Sequence, residues 1–314
     1  MYKLGILGIG NMGSAILGGI LKSKILNADE IIIYNRTYSK IEKYKQQGVH
    51  IGDCERTVIE HSENVFVAVT PQVLDSLTDV IKNSMNGEKL IISVVAGKNL
   101  LTLKNIFGAK NRYIRVMSNT PATIGEGMSA IIIDESANEK DKTFVNQILH
   151  SIGKVVELSE DKLDIFGSFA GTIPAYLYMF AEAIADGAVA CGFPREGIYE
   201  IISQSILGSA KLQLETKKHP GELKDQVTTP GGMTIAGVAA LEEAGLRNAL
   251  IKAVKDAMAK KLGADMVAFG HSHVKMLETI DGIIVLNPGS TTIPKDGSKS
   301  AAIIEDGKAR LLEF

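Results

Sequence analysis

Gly8-Ile9-Gly10-Asn11-Met12-Gly13 sets three glycines in a G-x-G-x-x-G pattern, directly after the apolar run Lys3–Gly8. Met12, Ile16 and Ile20 follow at helical spacing, so the loop opens a helix. Each glycine meets a separate steric demand of a pyrophosphate. The first allows a tight turn, the second lets backbone approach the anion, and the third lets helix pack close to strand. Free N–H groups at the helix start then face the negative charge. Asn11 and Met12 belong to the same loop, and Met12 also reads as a packing residue on the helix face. Flanked by strand and helix within one βαβ unit, the pattern predicts a dinucleotide site rather than a simple glycine-rich turn.

The second apolar run ends at Tyr34-Asn35-Arg36-Thr37. A site selecting NAD(H) usually carries Asp or Glu there, to bond the ribose 2′-hydroxyl. Asn35 is uncharged, and the planar fork of Arg36 suits a 2′-phosphate. These two residues favour NADP(H), with NAD(H) as the lesser possibility. Arg36 reads otherwise as a solvated cation. Val69-Thr70-Pro71-Gln72 and Val95-Ala96-Gly97 follow later strands, and ligands in such sheets sit beyond the strands' carboxyl ends. Thr70, Pro71, Ala96 and Gly97 are therefore candidates for the nicotinamide half of the cofactor.

A second constellation is Val227-Thr228-Thr229-Pro230-Gly231-Gly232-Met233-Thr234, which opens the last helical stretch. Two glycines and a proline there would bare backbone N–H groups at a helix N-terminus, which suits a small carboxylate. Thr234 adds a hydroxyl able to donate to a ligand. The same residues serve equally well as a capping loop.

The elements that must hold these residues are legible as three segments. Residues 1–160 alternate β-rich runs with helical stretches, the pattern of a Rossmann-type doubly wound α/β sheet, mostly parallel and covered on both faces. Residues 161–262 lose the strand pattern. Leu163–Cys191, Arg195–Lys217 and Thr234–Leu262 predict an all-α unit, with Gly245 interrupting the last stretch and His219 shaping the turn before Pro220. Residues 263–314 predict a short β-rich tail, with Asp281-Gly282 and Asp306-Gly307 at hairpin turns.

Composition narrows the partners. The chain has 314 residues, 45% of them hydrophobic, so it can bury a large core. Lys and Arg total 34 against 36 Asp and Glu, which leaves no global electrostatic case for nucleic acid. The most apolar stretch, Ala175–Phe193, is broken by Glu182 and Asp186 and is no membrane span. Two cysteines, Cys54 and Cys191, predict a reducing, cytoplasmic setting without a disulfide framework. No metal site is predicted.

Across residues 1 to about 262 the chain resembles the pyrroline-5-carboxylate reductase family. The match rests on the glycine loop, Asn119-Thr120-Pro121, Pro174-Ala175-Tyr176, and the block from His219-Pro220-Gly221 through Leu223-Lys224-Asp225 to Thr234. The resemblance implies a homodimer or a ring of dimers, with an active site between the two domains and helices shared across subunits. It also implies reduction of a small cyclic imine, Δ1-pyrroline-5-carboxylate, to L-proline by hydride from the dihydronicotinamide. By similarity Val227, Thr229, Gly231, Gly232, Met233 and Thr234 hold the substrate. Thr234 contacts the ring nitrogen and is the catalytic candidate, and no dedicated acid is implied.

Two positions depart from the family pattern. Thr70-Pro71 stands where Lys-Pro is usual, and Gly171-Thr172-Ile173 where Gly-Ser-Gly is usual. These departures keep a catalytically silent NADP-binding regulatory or scaffold protein as the alternative reading. A β-hydroxyacid dehydrogenase would need a lysine on the first long helix, and Leu163–Phe193 has none.

The tail resembles a carboxyl-terminal fragment of a metallophosphoesterase at Gly270-His271-Ser272-His273 and Asn287-Pro288-Gly289-Ser290. In that family the two imidazoles ligate metal. The carboxylate-bearing Asp-x-His and Gly-Asn-His-Asp elements that complete a two-metal centre are absent. The tail reads as a fusion fragment without an activity of its own.

Overall fold

The computed structural model describes residues 1–262, 266–268, 274–280, 283–292, 297–305 and 308–313, in two compact units, Met1–Pro174 and Ala175–Phe314. The first unit is built on eight strands: β1 Tyr2–Leu7, β2 Ile31–Tyr34, β3 His50–Ile51, β4 Ser62–Val67, β5 Leu90–Ser93, β6 Arg112–Met117, β7 Gly127–Ile133 and β8 Gly153–Glu157. Their order across the sheet is β3-β2-β1-β4-β5-β6-β7-β8. Every neighbouring pair is parallel except β6 and β7. The mostly parallel sheet expected from the sequence is present, and the two-residue β3 is too short to leave a strand signature.

Alternation along the strands explains why both faces are covered. Leu4, Ile6, Ile31, Ile33, Leu90 and Ile92 point to one face, where Ile16, Leu17 and Ile20 of the helix Asn11–Ser23 meet them. Leu7, Ile32, Val65, Val67 and Ile91 point to the other, against Val58, Ile59, Leu74, Ile81 and Leu103 of the crossover helices. The helical composition begins near residue 160, yet the first unit continues to Pro174. Leu163, Phe166 and Ala170, from a helix and the π-helical turn that follows it, pack on Ala130 and Ile132.

The second unit holds the helix Ile173–Ala190 beyond its first turn, then Ile198–Thr216, Pro220–Gln226, Met233–Glu243 and Leu246–Leu262. Gly245, at φ 78°, separates the last two, as its type predicts. Its buried centre is small, Ala185, Ile198 and Ile202 with alanine and valine neighbours. Tyr178 and Met179 are exposed, and Met233–Glu243 buries no residue within the chain.

The tail forms β9 Met266–Ala268, β10 Lys275–Ile280, β11 Ile283–Pro288, β12 Ser300–Glu305 and β13 Lys308–Glu313. β10 and β11 pair antiparallel, β9 joins β11 in parallel, and β12 pairs antiparallel with β13. Ile280 faces Ile283 and Glu305 faces Lys308, the registers that two-residue turns demand. The turn residues themselves, and His271 and His273, lie outside the described residues. Lys275 donates to Ser298 (2.6 Å) and pairs with Glu313, joining the hairpin to the sheet. Asn248, Ile251 and Lys252 of the last helix and Val274, Met276 and Asn287 of the tail line one small cavity, so helix and tail pack side by side.

Candidate functional site: a nucleotide cradle and a helix-opening loop

The glycine loop sits where the strand order reverses, between β1 and its neighbours β2 and β4. Backbone bonds staple it in place, Gly8 N–H to Tyr34 O (2.9 Å) and Ala68 N–H to Leu7 O (2.8 Å). The three glycines divide their work. Gly8 has φ 93°, a left-handed turn closed to most side chains. A Cβ on Gly13 would run into the Gly8 carbonyl oxygen, which is the close packing of helix on strand. A Cβ on Gly10 would meet nothing within 4 Å, because this glycine faces open space beyond the strand ends.

Gly10 caps the helix Asn11–Ser23 with no side-chain bond to it and no acid in the first turn. The N–H groups of Asn11, Met12 and Gly13 therefore have no intrahelical partner and are free for an anion. Met12 packs against the core, so its share in the cradle is its backbone.

A cavity of about 230 Å³ adjoins the loop, lined by Leu7, Gly8, Gly10, Tyr34, Asn35, Arg36, Ala68, Val69 and Thr70. It brings together residues from the ends of β1, β2 and β4. Thr37, Lys40 and Glu55 line it too, and sequence reasoning missed them. Lys40 stands four residues beyond Arg36, at the end of the 3-10 turn Tyr38–Lys40, a nearness in sequence that could have revealed it. Glu55 arrives from the helix Glu55–Glu60 and carries no local signal. Burial raises the Tyr34 phenol above its ordinary pKa, with the charges of Glu55 and Cys54 adding and that of Arg36 opposing. The Cys54 thiol lies below its usual value, chiefly through its hydrogen bond with the Thr57 hydroxyl.

The fit to a dinucleotide is good: a bare glycine at the mouth, unpaired N–H groups, and cations past β2. Thr70 caps the helix Pro71–Ser76 and faces this cavity. Pro71, its first residue, does not line the cavity. Ala96 and Gly97 stand exposed on the loop after β5, apart from it.

The Val227–Thr234 loop belongs to the second unit. His219 Nδ1 accepts from Gly221 N–H (3.1 Å) and caps Pro220–Gln226, the turn-shaping role its position predicts. Thr228 Oγ1 then donates to Lys224 O (2.6 Å), and Gly232 N–H to Thr229 O (3.1 Å). Gly231 turns the chain at φ 67°. A Cβ on Gly232 would strike the Thr229 hydroxyl. Val227, Thr229, Met233 and Thr234 are all exposed, Met233 at 93%. The N–H groups of Met233, Thr234 and Ile235 open the helix Met233–Glu243 without intrahelical partners. Among the described residues there is no group of three or more His, Cys, Asp or Glu able to hold a metal.

Known proteins resemble the chain in both units. A family described as pyrroline-5-carboxylate reductase dimerisation matches residues 160–263. Another, described as NADP oxidoreductase coenzyme F420-dependent, matches residues 3–97. Pyrroline-5-carboxylate reductase of Escherichia coli is 36% identical over 259 residues, covering 82% of this chain and 96% of that protein. The Pisum sativum reductase is 37% identical, over 81% of this chain and 92% of its own. Among solved structures, Plasmodium falciparum pyrroline carboxylate reductase with NADP bound has a TM-score of 0.75 at 30% identity, covering 83% of this chain and 97% of its own. That of Coxiella burnetii has a TM-score of 0.76 at 27% identity, covering 83% and 98%. The chain belongs to the pyrroline-5-carboxylate reductase family.

Proposed function

We propose that this protein reduces Δ1-pyrroline-5-carboxylate to L-proline with NADPH, the last step of proline synthesis. The observation that carries the reading is the glycine cradle, with Gly10 open to the ligand and Gly8 and Gly13 closed, in a chain of this family. NADPH supplies a hydride to the C=N carbon. The imine is a good electrophile once protonated, so the protein's task is to position two reactants.

In this reading the N–H groups of Asn11, Met12 and Gly13 take the pyrophosphate, and Arg36 faces the 2′-phosphate. Thr70, Pro71, Ala96 and Gly97 lie toward the nicotinamide. Val227, Thr229, Gly231, Gly232 and Met233 hold the substrate, with backbone N–H groups on its carboxylate. The Thr234 hydroxyl orients the ring nitrogen. Residues 1–160 carry the cofactor and 161–262 the substrate loop and the subunit contacts.

The assembly is a homodimer, or a ring of dimers. Met233–Glu243 supports this by burying no residue within its own chain although Ile235, Val238 and Leu241 are apolar. Two free cysteines and the want, among the described residues, of a helix long and apolar enough to cross a membrane support a cytoplasmic setting. Residues 264–314 lie outside both matched families. The reading of this tail as a metallophosphoesterase-like fragment is supported by Gly270-His271-Ser272-His273 and Asn287-Pro288-Gly289-Ser290. The want of Asp-x-His and Gly-Asn-His-Asp elements in the sequence supports its having no activity of its own.

The test is a steady-state assay of pyrroline-5-carboxylate reduction with NADPH and with NADH, with proline identified as product. Cofactor binding without turnover would overturn the reading.

A further inference from the structure

The turn after β5 has little backbone support of its own. β5 runs as four buried residues to Ser93, and Val94 N–H still bonds Val67 O of β4 (3.1 Å). Val95 N–H then turns back to the Ser93 hydroxyl (3.2 Å). Ala96 and Gly97 follow, exposed, with Gly97 at φ 73°. Among the described residues no backbone bond involves Ala96, Gly97 or Lys98. Left to itself, a turn of this kind moves on nanosecond to microsecond times.

Side chains supply the missing support, one ion pair at each end. Lys98 Nζ pairs with Asp75 Oδ1 (2.5 Å) on the helix Pro71–Ser76, which Thr70 caps. A fully exposed pair gains little, because ordering two long side chains offsets the attraction. Lys98 is different: its side chain is only 18% exposed, so little freedom remains to lose. At the other end Glu160 Oε1 accepts from Leu100 N–H (2.8 Å), where the helix Leu100–Phe107 begins. The same oxygen accepts from Arg115 Nη1 (3.1 Å). Arg115 is buried on β6, opposite Ser93 of β5. Its Nε has no hydrogen-bond partner, so the guanidinium depends on Glu160 for charge and position. All four charges lie in the first unit.

Resting on the NADPH reading above, we propose that Asp75–Lys98 and Arg115–Glu160 form a clamp that fixes the Ala96-Gly97 turn as the seat of the nicotinamide ring. The four are positioning residues and act through the turn between them. Lys98 and Asp75 also tie it to the helix that begins with Pro71, so both loops assigned to the nicotinamide keep one spacing. Hydride transfer is sensitive to that spacing, since a misplacement of about 1 Å can cost about a hundredfold in rate.

Two ligands separate this from a general loss of structure, because 2′,5′-ADP carries the adenosine end of NADPH and lacks the nicotinamide. Calorimetry of the intact protein gives both affinities, and stopped-flow absorbance of NADPH gives the single-turnover rate with pyrroline-5-carboxylate. Asp75→Ala and Lys98→Ala should each slow hydride transfer about three- to tenfold and weaken NADPH about threefold, leaving 2′,5′-ADP within about twofold. Exchanging the charges, Asp75→Lys with Lys98→Asp, should recover most of the rate. Glu160→Ala should slow transfer about tenfold or more. Glu160→Gln keeps an acceptor for Leu100 N–H and should retain more of the rate; it decides the matter if the alanine variant does not fold. Equal weakening of NADPH and 2′,5′-ADP, an unchanged rate in Asp75→Ala, or no recovery on charge exchange would overturn the proposal. If the unaltered protein does not reduce pyrroline-5-carboxylate, the reaction falls, and selective weakening of NADPH still supports the clamp. If it reduces the imine and the variants match it, the clamp falls and the reaction stands.

Discussion

Asn35 Oδ1 and the N–H of Ile9 are 3.0 Å apart, a bond that ties the turn after β2 to the glycine loop after β1. The other end of the amide holds Thr37 O, so one side chain sets the spacing between the pyrophosphate cradle and the turn beside it. Asn35→Ala should free both segments and weaken NADPH and NADH alike by about 5- to 30-fold, the worth of one or two hydrogen bonds. Fluorescence titration with each cofactor checks this. A loss confined to NADPH would make Asn35 a ligand of the phosphate instead.

Gly10 and Gly13 should separate binding from folding. Gly10→Ala places its methyl in open space, so melting should stay within about 2 °C while cofactor affinity falls about tenfold or more. Gly13→Ala drives a methyl into the Gly8 carbonyl and should cost about 2 kcal/mol. In a domain of this size that is a fall in melting temperature of about 5 °C. Thermal denaturation and cofactor titration of both variants decide it.

Thr234→Ala should reduce kcat for imine reduction by about 10- to 100-fold, the weight of one hydrogen bond that orients a charged ring nitrogen. NADPH affinity should be unaffected, because Thr234 lies on the loop of the second unit and not in the nucleotide cradle. Thr234→Ser should restore most of the rate. Equal turnover in the alanine variant would remove this hydroxyl from the mechanism.

Tyr113 predicts an alkaline limit. Burial pushes its phenol up to about 12, with the Asp134 charge adding and the Asn111 hydrogen bond opposing, and its hydroxyl donates to Gly108 O (2.5 Å). An unfolded tyrosine titrates near 10. The buried phenol thus contributes stability fully below about pH 10, and that contribution is lost as pH rises toward 12. Tyr113→Phe should cost about 1 kcal/mol at neutral pH through the lost bond. Between pH 9 and 11 it should lose less stability than the unaltered protein in chemical denaturation. Parallel losses would contradict the assignment.

Local sterics and periodicity account for what could be read before folding. Gly8, Gly10 and Gly13 have separate duties because each is decided by a few atoms within one turn, and alternation in Leu4–Leu7 or Leu90–Ser93 decides which residues face which helix layer. His219 as a cap and Gly245 as a break are likewise properties of short segments.

Gathering Glu55, Thr70, Arg36 and Lys40 around one cavity is a different matter. They come from turns after β2 and β4 and from the helix after β3, and only the order β3-β2-β1-β4 makes these neighbours. The engagement of Asn35 had no signature either, because a hydrogen bond to Ile9 depends on how two parallel strands end side by side. The reversal of β7 and the packing of the tail on the last helix follow the same rule. The sequence by itself determined the kind of chemistry, since that resides in short motifs. The tertiary structure alone decided which distant charges share a cavity, because their energies depend on separations that chain spacing does not encode.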